Sequence, residues 1–164
     1  MTNTSLNTTQ NTTRVQLLLI ACIIGAVMGV IFIIIQPFFG MDTLTSRHAA
    51  AYQQLGNWNN IAAVIIAWTA HLVVSIFYGF LSGIVILSTT KLKVVALFTL
   101  AFSWLTTLIA PPANALIVQF VSFQQIQISQ LPDLNFSLDV KLLLHLVFFA
   151  AMTIPLYLYH KKNR

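Results

Sequence analysis

A chain of 164 residues that is 58% hydrophobic and only 7% charged is not built like an ordinary soluble domain, in which charged residues make up about a quarter. Its formal net charge of +5 does not read as a nucleic-acid footprint, because the cations sit at the ends of apolar runs rather than along one basic face. A single cysteine, Cys22, excludes an internal disulfide and reads as a small packing residue.

In chain order, residues 1–13, MTNTSLNTTQNTT, are a polar leader expected to be disordered. Its Asn-x-Ser/Thr triplets at Asn3, Asn7 and Asn11 would matter only in a glycosylating lumen. Residues 14–164 are expected to form one transmembrane domain. The first apolar run, Val15 to Ile35, exceeds the ~7–15 residue core of a secretory signal. No cation precedes Arg14, and QPFFG offers no small-x-small cleavage site, so the run reads as a transmembrane helix. Ala21, Gly25 and Gly29 recur along it every four residues, and Pro37 ends it by withholding an N–H donor.

The stretch TLTSRHAAAYQQL, residues 43–55, mixes apolar and polar residues and is expected to lie at the outer interface as a short amphipathic segment. The second helix, Ile61 to Leu87, carries His71 and a second small-residue series, Ser75, Gly79 and Gly83. In lipid, such series let helix backbones approach closely, so the first two helices are expected to pack through them, unless a homodimer uses one. The third helix, Leu92 to Ile109, is expected to end at Pro111 and Pro112. Residues 113–130 then form a second outer amphipathic segment. The fourth helix, Val140 to Tyr159, carries His145. Each run can cross a hydrocarbon core of ~30 Å, and aromatic residues near helix ends, such as Trp58 and Trp68, suit the membrane interface.

Charge sets the expected orientation. Arg14, Lys91, Lys93, Lys161, Lys162 and Arg164 fall on one side of the four crossings. Arg47 and Lys141 fall on the other with Asp42, Asp133 and Asp139. The positive-inside rule places both termini in the cytoplasm. At an offset of 74 residues Pro37 falls on Pro111 and His71-Leu72-Val73 on His145-Leu146-Val147, while Gly25 and Gly29 fall on Thr99 and Ser103. The expected fold is an all-α integral membrane protein of four transmembrane helices, arranged as two similar hairpins in a parallel repeat.

Catalytic motifs are missing: there is no H-E-x-x-H, C-x-x-C, G-x-S-x-G or phosphate-cradling loop, and all three carboxylates lie outside the apolar runs. The chain is therefore expected not to be an enzyme and to hold no catalytic residue or metal. His71 and His145 remain, because an ionisable residue inside a membrane needs a partner. Three readings stay open for them. Each stays neutral and bonds across helices, to Ser75, Thr69 or Thr153. Or they form a path for protons or a small polar solute, with Gln36 and Asp139 near the outer mouth. Or they ligate a b-type haem, beside the small residues Ala67, Ala70 and Ala150. His48 reads as a solvated interfacial residue, and His160 opens a basic tail that works in topology.

Pro37, AHLVVSIFYGF in the second helix, the KLK turn at Lys91 to Lys93, APP at Ala110 to Pro112, and HLVFF with the HKKNR tail together resemble the YagU-like family of small bacterial inner-membrane proteins. The leader and a shorter outer loop depart from that pattern. The resemblance implies four helices in a bacterial cytoplasmic membrane and supplies no reaction or cofactor. The expected function is that of a non-enzymatic multi-pass inner-membrane protein, an accessory or envelope-homeostasis component whose partners are the lipid bilayer and a homo-oligomer or larger membrane complex. The alternatives are a small oligomeric channel or transporter and a haem-binding electron carrier.

Overall fold

The computed structural model describes the backbone of residues 2–163 and the side chains of residues 14–163; the leader's Asn3, Asn7 and Asn11 side chains lie outside the described residues. Five α-helices follow in order: α1 (Thr2–Ile35), α2 (Leu44–Gly56), α3 (Asn60–Ser88), α4 (Leu92–Val121) and α5 (Val140–Lys162). Short 3-10 turns occupy Gln36–Phe39 and Ile128–Gln130, and the described residues include no strand. Helical backbone in α1 runs through the residues read as the leader. Four segments are long and apolar enough to cross a membrane: Arg14–Phe39, Asn60–Ser88, Leu92–Val121 and Val140–Lys162. The chain is thus an all-α, four-helix membrane protein. Both termini lie at one end of the bundle, with α2 and the 122–139 connection at the opposite, loop end.

α1 packs mainly along α3 and α4 mainly along α5; α5 also touches α1 and α3, whereas α3 and α4 barely meet. Ala21, Gly25 and Gly29 lie against Ser75, Gly79 and Gly83. A Cβ on Gly25 would run into the Ser75 carbonyl and the Gly79 Cα, and one on Gly79 into the Ala21 carbonyl and the Gly25 Cα. Main chain therefore meets main chain, as a small-xxx-small seam allows. Between α4 and α5 the register is the same with larger groups: Thr99 and Thr153, each 74 residues beyond Gly25 and Gly79, pair their hydroxyls at 2.9 Å. Below the middle, toward the termini, the bundle is solid. Phe149, Met152 and Leu156 are fully buried, as are Leu17, Ala21 and Ile86.

α1 stops at Ile35, just before Pro37, and Gly40 turns the chain with a left-handed φ of 69°. Thr43 caps α2 by accepting from the Ser46 amide at 3.2 Å, and the Gln36 Oε1 accepts from the Leu44 amide at 2.7 Å. The first amphipathic segment is this helix. Instead of only lying at the interface, α2 buries Thr45, His48, Ala49 and Tyr52 and packs on Ala63 and Ala67 of α3.

Two sequence expectations are corrected at the other connection. Pro111 and Pro112 do not end the third membrane helix; they lie inside α4, which continues to Val121. A helix survives internal proline when another group takes the freed carbonyl. Pro112 frees the carbonyl of Leu108 four residues back, and the Asn135 amide of the return loop donates to it at 2.9 Å. The second outer segment is accordingly the last turns of α4 followed by an irregular loop, not an independent amphipathic element. The loop end is tied down by Gln124, whose side-chain amide donates to the Leu55 carbonyl at 2.8 Å, and by stacking of Trp58 on Phe123.

Candidate functional site

Both membrane histidines and the buried Gln36, Ser75, Thr106 and Thr107 gather where α1, α3, α4 and α5 approach the loop end, while Ser82, Thr99 and Thr153 are buried nearer the terminal end. Phe32 of α1 is the hub. Its ring stacks on His71 of α3, with centroids 6.1 Å apart and planes at 23°, and on His145 of α5, at 5.4 Å and 25°. Phe148 meets the same phenyl edge-on at 5.5 Å. The two histidines thus belong to one cluster, bridged by a phenylalanine that hydrophobicity alone marks only as core.

Each imidazole is anchored by one nitrogen. His71 Nε2 lies 2.9 Å from the Gly29 carbonyl, which can only accept, so this nitrogen carries the hydrogen. His145 Nδ1 lies 2.9 Å from the Thr107 hydroxyl, which itself donates to the Ser103 carbonyl at 2.7 Å. With that proton committed, the network assigns the hydrogen to His145 Nδ1 and leaves Nε2 a lone pair. The partners differ from those expected: Thr69 bonds the Ile65 carbonyl, Thr153 bonds Thr99 and the Phe149 carbonyl, and Ser75 packs on Gly29. The overlooked partner, Thr107, has a visible signal. Thr99, Ser103 and Thr107 recur every four residues on one face of α4, each bonding the carbonyl one turn back.

Two joined cavities surround this cluster. The larger, about 440 Å³, opens at the loop end; its polar wall includes Gln36, Arg47, Asn114, Asn135 and Lys141, with Asp42 beside them. The smaller, about 110 Å³, is the slot left where α3 and α4 fail to meet, lined by Val74, Tyr78, Ile109, Ala113 and Ile117. Phe32, Leu44, Ala110, Asn114 and His145 line both, so the two are continuous.

No protein-family model, curated protein or solved structure matches the chain.

Of the other expected site residues, Gln36 lines the larger cavity while its Oε1 caps α2, and Ser75 lines the smaller one. Asp139 lines neither. It is the N-cap of α5, accepting from the Lys141 and Leu142 amides at 2.9 and 3.3 Å. Arg47, Lys141, Asn114 and Asn135 join the site although sequence reading used the first two only for topology. They are separated by up to 94 positions in the chain, as Arg47 and Lys141 are, and only folding brings them to one wall.

The arrangement does not fit a bis-histidine haem. His71 Nε2 is engaged by Gly29, and Phe32 takes the space that links the imidazoles, where a macrocycle would have to stand. Nor do the described residues include a cluster of three or more His, Cys, Asp or Glu suited to a metal ion. His48 corrects another expectation: it is 7% exposed, not solvated. Burial, then the Arg47 charge, then His71, lower its pKa from 6.5 to about 4, and its Nε2 is buried with no hydrogen-bond partner.

Proposed function

We propose that this protein is a non-enzymatic, multi-pass accessory component of a bacterial cytoplasmic membrane, built as a duplicated hairpin and working as a membrane-embedded binding module. The observation that carries the reading is a cavity that is polar at its mouth and blind at its floor. From the loop end it reaches Phe32, His71 and His145, and toward the termini the space is filled by Phe149, Met152 and Leu156. A site closed toward the termini can hold a ligand; passage across the membrane needs an opening at that end. The orientation in this reading has both termini in the cytoplasm and the cavity facing outward, supported by the cations at the terminal end. The YagU-like resemblance and the matched registers Gly25–Gly79 and Thr99–Thr153 support the bacterial setting and the duplication.

A second reading, a small oligomeric channel or transporter, draws on the Phe32 hub, since a ring held between two imidazoles at the floor of a polar cavity is where a gate would sit. Proteoliposomes decide between them. With a pH-sensitive dye inside, the binding reading expects proton flux no greater than in empty vesicles for both the native chain and Phe32→Ala. Flux in the native chain that rises in Phe32→Ala would replace it with the transport reading.

A further inference from the structure

The two cavities differ in chemistry in a way that describes their occupant. Arg47 comes from α2 and Lys141 from the first turn of α5, and both line the larger cavity without an ion-pair partner among the described residues. Asp42 shares the wall but leaves it net positive. The Asn135 side-chain nitrogen is buried at this wall and makes no hydrogen bond, so a donor is held ready without an acceptor. A guanidinium fork, an ammonium and free amide donors on one concave wall match a phosphate group, whose oxygens accept from all of them.

The smaller cavity leads sideways rather than up. It lies between α3 and α4, the neighbouring pair that barely meets, and its lining is mostly aliphatic and aromatic. Beyond it both helices carry exposed apolar side chains, including Phe77 and Leu105, that face lipid when the bundle is inserted. A polar chamber opening at the headgroup level and an apolar slot opening into the hydrocarbon are the two halves of an amphiphile's environment.

We propose that the composite cavity binds one anionic membrane lipid, with its phosphate between Arg47 and Lys141 and its apolar chain leaving through the α3–α4 slot. The inference rests on the binding-module reading and names its ligand class. Phe32 forms the floor beneath the glycerol region, and Asn114, which lines both cavities, stands at the junction of head and chain. The adjacent bilayer supplies the ligand, so no entry from water is needed.

The test uses the full chain in dodecyl maltoside, with native mass spectrometry and thermal unfolding read against added phosphatidylglycerol, phosphatidylcholine and inorganic phosphate. Phosphatidylglycerol is expected to stay bound and raise the unfolding temperature more than phosphatidylcholine does. Arg47→Gln and Lys141→Gln, both at exposed positions, should each weaken its binding about tenfold, the scale of one charge-assisted hydrogen bond. Ala113→Trp, which fills the slot, should abolish lipid retention; Ala113→Leu serves if the larger side chain prevents folding. Equal binding of the two lipids, unmoved by Arg47→Gln and Lys141→Gln, overturns the proposal. Inorganic phosphate that fully displaces phosphatidylglycerol, with Ala113 variants binding normally, makes this a free-phosphate site and equally overturns it. A chain that binds no lipid and carries no flux refutes the ligand but leaves the binding module standing; flux with lipid bound does the reverse.

Discussion

Replacing Gly79 by alanine separates two opposing effects on the α1–α3 seam. In an unconstrained helix interior, alanine is favoured over glycine by about 1 kcal/mol. Here the added Cβ would overlap the Ala21 carbonyl oxygen and come within 2.9 Å of the Gly25 Cα and 3.1 Å of the Ala21 carbonyl carbon. These are main-chain atoms, so no rotamer change relieves the clash and the helices must part by roughly 1 Å. At such a gap a contacting atom pair forfeits a quarter to a half of a well of ~0.1–0.2 kcal/mol. For about 40 pairs, the contact set of one buried leucine, the loss is about 1–4 kcal/mol. Parting the helices also strains the His71–Gly29 hydrogen bond, worth about 1 kcal/mol, which offsets the propensity gain. The expected net destabilisation of Gly79→Ala is therefore about 1–4 kcal/mol, read from reversible unfolding in mixed micelles by far-ultraviolet circular dichroism. Gly83→Ala probes the same seam one turn on with a smaller expected loss: its Cβ would come within 2.8 Å of the Ala21 Cβ, which no rotamer change can move, but it meets no main-chain atom, and the Leu18 Cδ2 at 3.1 Å can rotate away. Gly79→Ala at or above native stability would refute the close-contact seam.

Thr107→Val should cost about 1–3 kcal/mol by leaving His145 Nδ1 unpaired in the bundle, and Thr107→Ser should restore most of it; a valine variant that unfolds like the native chain contradicts the assigned bond. Pro112→Ala supplies an N–H that competes for the Leu108 carbonyl, so amide exchange at Asn135 should accelerate while α4 remains helical; unchanged protection there would show that the loop is held by other contacts. His48 binds its proton less readily folded than unfolded. Stability should therefore fall as pH drops from about 6.5 toward 4, by at most about 3 kcal/mol before solvent screening, with the His48 contribution fully lost below the folded value. His48→Leu should flatten that slope, and a slope that persists assigns it to another group. Phe32→Ala should cost about 3–5 kcal/mol through the cavity left between the imidazoles, measured in the same micelles.

Much of the fold is legible in the chain. Helix α3 is read to within a residue at each end, 61–87 against Asn60–Ser88, because an uninterrupted apolar run has only one low-energy backbone in lipid. The seam residues are legible too, since spacing by four places Ala21, Gly25 and Gly29 on one face whatever the partner. The end of α4 is not. Whether a proline stops a helix depends on who accepts the orphaned carbonyl's bond, and Asn135 stands 27 residues after Leu108. His48 illustrates the same limit, for its neighbours Arg47 and Tyr52 look solvated until α2 folds onto α3.

The sequence by itself determined that four helices are long and apolar enough to cross a membrane, which helix faces can approach closely, and that two histidines lie within apolar runs, because each depends on composition and period along one helix. Only the tertiary structure decided that Phe32 bridges those histidines, that Thr107 and Gly29 anchor them, and that α3 and α4 leave a slot between them. These are distances between helices, set by which side chains fill the interior when all four pack at once. Periodicity carries no record of that competition.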